Sequence, residues 1–150
     1  MKGNELLKEQ IGKTLKDGKI QSFELRGELI ELITVTFLKF EAWIKIVSTD
    51  EQTIISIIDG EFENEIKYDN EEFKYPITKI ENYFPEFKKY IGQQLIAVKE
   101  LVGLKNPQFS FGINLYFDNG LNFIVHNQDY PMDKNEFIFE NKVPINLIEK

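Results

Sequence analysis

The chain has no cysteine, and that absence excludes disulfides, Cys–Zn centres and thiol nucleophiles together. It has a single histidine, His126, which leaves little for His-based metal or acid–base chemistry. No apolar run approaches the ~18 residues of a membrane span. Charges interrupt Met1-Lys2-Gly3-Asn4-Glu5-Leu6-Leu7-Lys8 before a signal-peptide core forms, so a cytoplasmic location is the expectation. Positive charge is also scarce: 18 basic residues face 25 acidic ones, a net charge of −7. With no compensating Lys/Arg stripe, phosphate repels the chain, so neither nucleic acid nor an anionic membrane is an expected partner. No Gly-x-x-x-x-Gly-Lys-Ser/Thr, Gly-x-Gly-x-x-Gly or Gly-x-Ser-x-Gly motif occurs, and no cofactor is expected.

What the chain has in quantity is large apolar surface. Thirteen Phe, six Tyr and one Trp accompany 42% hydrophobic residues among 150. Each aromatic buries about 150–250 Å², and a chain of this size closes one core without staples. A single domain over residues 1–150 is the expectation.

Leu7, Ile11 and Leu15 at i, i+4, i+8 predict a helix over 4–15, ended by Lys16-Asp17-Gly18. Ile20 to Leu25, Leu29 to Phe40, Trp43 to Ser48 and Thr53 to Ile58 are rich in Ile, Val, Phe and Thr and predict strands, the second buried on both faces. Phe84, Phe87 and Ile91 predict a second helix, with Pro85 in its first turn and Gly92 at its end. Tyr83, Phe84, Phe87 and Tyr90 then read as core packing rather than a ligand box. Leu95 to Val102 is a strand, and Phe109 to Phe117 alternates as a half-buried one. Asn119-Gly120 predicts a type I′ hairpin into Leu121 to Asn127, and Phe137 to Glu140 a last short strand.

The two halves correspond. Ile11-Gly12-Lys13-Thr14-Leu15 matches Ile91-Gly92-Gln93-Gln94-Leu95, and Leu29 to Phe37 lies over Phe109 to Phe117 at the same spacing. With one residue of slack, Ile44-Lys45-Ile46 lies over Phe123-Ile124-Val125 and Asp50 over Asp129. The expected class is therefore α+β: mainly antiparallel sheet with short helices, in two pseudo-repeated helix-strand-hairpin halves (4–58 and 84–140). Two like units can close a core that neither completes alone. The pattern Ile-Gly-x-x-Leu, strand, Asn-Gly, strand over Ile91 to Asp129, with a looser copy over Ile11 to Asp50, resembles small bacterial immunity proteins of toxin systems. That resemblance implies neutralisation of a partner toxin and supplies no chemical residue to carry over.

One segment stands apart. Asp59, Glu61, Glu63, Glu65, Asp69, Glu71 and Glu72 fall within fourteen residues, opposed only by Lys67. If 59–68 is extended, Asp59, Glu61, Glu63 and Glu65 share one face at roughly 6.6–6.8 Å intervals. Such a row suits a basic protein partner, with Tyr68, Phe73 and Tyr75 as aromatic anchors. The plainer alternative is a charged edge strand that discourages aggregation. Residues 1–75 carry ten basic and sixteen acidic groups against eight and nine in 76–150, so the acidity belongs to the first half. The partner-binding candidates are Asp59, Glu61, Glu63, Glu65, Tyr68, Asp69, Glu71 and Glu72. No catalytic or metal site is assigned. A self-assembling subunit is the alternative, followed by an enzyme using His126 with Asp129 or Asp133. Asn127, Asp129, Asp133 and Asn135 also compose an oxygen-rich loop, for which turn chemistry around Pro131 is the simpler account.

Overall fold

The computed structural model describes residues 1–49, 51–59, 65–66 (backbone only), 72–128, 131–139 and 142–150. A short helix α1 (Asn4–Lys8) precedes β1 (Asp17–Leu25), β2 (Glu28–Lys39), β3 (Trp43–Ser48), β4 (Thr53–Ile58), β5 (Glu65–Ile66) and β6 (Phe73–Lys79). Two 3₁₀ turns, Ile80–Asn82 and Pro85–Lys89, lead to β7 (Leu95–Gly103), β8 (Ser110–Phe117), β9 (Asn122–Asn127), β10 (Asn135–Ile138) and β11 (Leu147–Glu149). The named strands pair antiparallel throughout.

The first sheet has the order β4-β3-β2-β1-β6-β5 and the second β10-β9-β8-β7-β11. The halves thus repeat beyond the stretches matched in sequence, because β6 stands beside β1 as β11 stands beside β7. One core joins the sheets. Ile20, Ile33, Leu38, Ile44, Ile46 and Ile55 from the first meet Ile113, Leu115, Phe117, Phe123, Val125 and Phe137 from the second. Aromatic edges lock its centre: Phe87 on Phe123 at 5.2 Å and Tyr90 on Phe117 at 5.4 Å between ring centroids.

The Ile-Gly-x-x-Leu segments are the hinge of this symmetry. Gly12 donates its N–H to the Leu95 carbonyl at 2.7 Å, and Gly92 donates to the Leu15 carbonyl at 2.8 Å. Leu15 and Leu95 return bonds to Gln93 and Lys13, around an antiparallel bridge between Thr14 and Gln94. Both glycines are left-handed, φ +87° and +84°, a region open to Gly at no steric cost.

That exchange also shortens the helices. The predicted helix 4–15 is helical only at Asn4–Lys8, because the chain must open at Gly12 to pair with the other half. Around 84–91 the backbone forms 3₁₀ turns, whose three-residue period brings Phe84, Phe87 and Tyr90 to one side. Phe87 and Tyr90 are buried, and the Tyr90 hydroxyl donates to the carbonyls of Asn122 and Phe139.

Two other details depart from expectation. The β8–β9 connection is not a type I′ turn: Gly120 is left-handed but Asn119 is not, and Gly120 N–H bonds to the Phe117 carbonyl. This is a type I turn closed by a left-handed Gly. The type I′ turn lies instead at Arg26 (φ 52°) and Gly27 (φ 83°), between β1 and β2. Nor is β8 half-buried, since among its residues only Tyr116 is not fully buried. The face opposite the main core carries a second apolar cluster, Leu101, Phe111, Ile124 and Leu147, with Val143 packed against it. Asn114 on that face is satisfied by bonds to Asn122 (2.8 Å), Tyr116 (3.0 Å) and Glu149 (2.7 Å).

Candidate partner-binding face

β2 is twice the length of β3 and outruns it. Only Thr36–Lys39 pairs with β3, whereas β1 accompanies β2 down to Glu28. The β1–β2 hairpin therefore projects past the body of the first sheet. Its tip is tied to the start of β6: Arg26 donates its backbone N–H to the Glu72 carbonyl (2.8 Å), and its guanidinium reaches the Glu72 carboxylate at 3.2 Å.

Apolar side chains collect on this projection without enough sheet to cover them. Phe23 stacks on Phe73 and Tyr75, at 6.2 and 5.2 Å between centroids. Leu29, Ile30 and Phe73 are 51%, 48% and 37% exposed. Among them stand Glu24, Glu28, Glu31 and Glu72, against Arg26 and Lys74. Glu31 is partly buried, and this desolvation holds its carboxyl above the ordinary value despite bonds from Asn135. An exposed aromatic and aliphatic patch set among carboxylates has the make-up of a protein-docking surface.

The predicted acidic residues divide three ways. Asp59 is exposed just beyond β4, and Glu72 is exposed beside Arg26. Glu65 opens β5, at the opposite edge of the sheet from β4. Glu61, Glu63, Tyr68, Asp69 and Glu71 lie outside the described residues. The structure brings Glu72 together with Phe73 and Tyr75, and adds Phe23, Glu24, Glu28, Leu29, Ile30 and Glu31, which the sequence reading had not assigned to a site. The available signal was two adjacent apolar residues, Leu29-Ile30, between acids directly after a turn glycine.

His126 is 4% exposed. Its Nδ1 meets the Glu136 carboxylate at 2.9 Å, whose other oxygen accepts from Gln128 Nε2 at 2.7 Å. Burial holds the imidazole below its ordinary pKa, outweighing the attraction of Glu136. The orienting acid is Glu136 rather than Asp133, whose carboxylate instead accepts from Asn127 Nδ2 at 3.3 Å; Asp129 lies outside the described residues. Among the described residues no three His, Asp or Glu side chains gather as metal ligands, and no helix is long and apolar enough to cross a membrane.

No family model, curated protein or solved structure matches this chain.

Proposed function

We propose that this chain is a non-catalytic binding protein that docks a basic protein partner through the acidic, apolar-studded end of its first sheet. An immunity or inhibitor protein that covers the cationic surface of a bacterial toxin is the specific form of this reading. Glu72 and the acids of 61–71 would act with Glu24 and Glu28 to steer and select the partner, with Asp59 standing at the other end of the sheet, while Phe23, Phe73, Leu29 and Ile30 supply the buried contact. The observation that carries the reading is the exposed Leu29-Ile30 pair beside the Phe23–Phe73–Tyr75 stack, on the half of the chain that holds nearly all the excess negative charge.

The test is capture of a partner from the source cell's lysate on the immobilised full chain, with elution by salt. The captured protein should be basic, and the variant carrying Glu24→Lys, Glu28→Lys and Glu72→Lys should lose it. Reversal of Glu61, Glu63 and Glu65 to Lys should slow association and flatten its salt dependence. Equal capture by the reversed chains removes the reading.

A further inference from the structure

Sheet edges attract other strands, and among the described residues this protein blunts its longest outer edge. β4 is met by Lys2, which donates to the Thr53 carbonyl and accepts from Ile55 N–H, each at 2.9 Å. β10 and β11 are only four and three residues long. The overhang of β2 is treated differently. Where β3 has fallen away, Asn135 of β10 caps it at one point, donating Nδ2 to the Ile33 carbonyl at 3.0 Å. Below that cap, among the described residues, no strand pairs with the outer side of Glu28 to Leu32. Glu28 pairs with Leu25 across the two-residue turn, so the next residue, Leu29, turns its backbone N–H and carbonyl to the open side.

We propose that this open edge of β2, at Glu28-Leu29-Ile30-Glu31, receives an extended partner segment of the pattern basic-apolar-apolar-basic as an added strand of the first sheet. The inference deepens the docking reading above and rests on it. Main-chain bonds supply the affinity of strand addition and alternate side chains its selectivity. The register against β1 shifts between Leu29 and Glu31, which places Glu28 (opposite Leu25) and Glu31 (opposite Phe23) on one face and Leu29 (opposite Glu24) on the other. A strand laid opposite meets acid, apolar, apolar, acid in turn. The order reads alike in both directions, so parallel and antiparallel arrivals meet the same sequence of demands.

The same order argues against a second copy of this chain as the occupant. Antiparallel self-pairing of the four residues sets Glu28 opposite Glu31 twice, and like charges directly opposed destabilise a pair. A segment with Lys or Arg at the two outer positions turns both repulsions into attractions while Leu29 and Ile30 find apolar neighbours. Asp133, close enough to Glu31 to act on its carboxyl, adds a further negative charge at the capped end, opposed by Lys134.

The test uses the isotope-labelled full chain and the blocked peptide Thr-Arg-Val-Ile-Arg-Thr. Amide shifts and slowed hydrogen exchange should centre on Glu28–Leu32 and extend to the paired residues of β1. The charge-reversed peptide Thr-Glu-Val-Ile-Glu-Thr should bind about tenfold more weakly or worse. Methylating the peptide nitrogens that face β2 should abolish binding without altering charge. Glu28→Lys with Glu31→Lys should invert the peptide preference; if Glu31→Lys disturbs Asn135, Glu28→Lys alone should narrow it. Shifts confined to Glu72–Tyr75 and indifferent to methylation overturn strand addition while leaving acidic docking intact. Absence of binding by the basic peptide also overturns strand addition, and partner capture then judges the docking reading separately.

Discussion

Gly12 and Gly92 occupy equivalent left-handed positions in the two halves, and each gives its N–H to the other half's leucine carbonyl, Leu95 and Leu15. Neither glycine has atoms near the site of a Cβ, so a substitution there is opposed by backbone conformation alone. Gly12→Ala and Gly92→Ala should each cost about 1–2 kcal/mol. The double variant should cost less than the sum, since both act on one exchange of bonds. Urea unfolding of the three variants checks both statements; strict additivity would mean the two segments are energetically separate.

Arg26 stands at a type I′ position that Asn or Gly fills more readily. Arg26→Asn should stabilise the hairpin by about 0.5–1 kcal/mol, less the few tenths carried by an exposed ion pair with Glu72. Thermal unfolding at low and high salt separates the two contributions. A lower midpoint in high salt would count against the turn argument.

Stability should fall on mild acidification. His126 is held below its ordinary 6.5 by burial, so the folded protein takes up this proton less readily than the unfolded chain. The contribution is therefore complete above the unfolded value, and declines as pH drops from about 6.5 towards the lower folded value. His126→Gln should flatten the stability profile between pH 7 and 5 on this account, and an unchanged slope would assign the acid sensitivity to other groups.

The Tyr116 hydroxyl is pushed up to about 12, first by burial and then by Glu149, which accepts its hydrogen bond at 2.5 Å. Glu149→Gln should bring it down while leaving it above the ordinary 10.0, because burial remains. Ultraviolet titration of phenolate, compared with Tyr116→Phe, gives the result. No movement would deny the Glu149 contact.

The strands were legible because Ile, Val, Phe and Thr mark half-buried extended chain whatever the tertiary context. β3 and β4 fall at the predicted bounds, and β1, β2, β7, β8 and β9 within a few residues. The helices were less legible, since Leu7, Ile11 and Leu15 carry a helical spacing although only Leu7 is packed from a helix. Leu15 reaches the core from extended chain, and Ile11 is 43% exposed. What overrode the periodicity was pairing with residues eighty positions away, which no local pattern reports. Asn119-Gly120 did not form the expected type I′ turn, and Arg26-Gly27 formed one that was not expected, for a similar reason: in each hairpin the strand register chooses the turn. At the candidate face the acids could be counted, but not which of them stand beside exposed Leu29 and Ile30, because that follows from where β3 ends. Glu136 was missed as the partner of His126 because it lies across a strand pair rather than along the chain.

The crossed bonds at Gly12 and Gly92 also bear on the order of events during synthesis. A chain leaving the ribosome amino end first exposes Leu15 and Gly12 long before Gly92 and Leu95 exist to receive them. At about 5–20 residues per second the early half waits several seconds with its inner sheet face uncovered. It is during that interval, rather than in the finished molecule, that the carboxylates crowding the first half would most restrain nascent chains from joining one another.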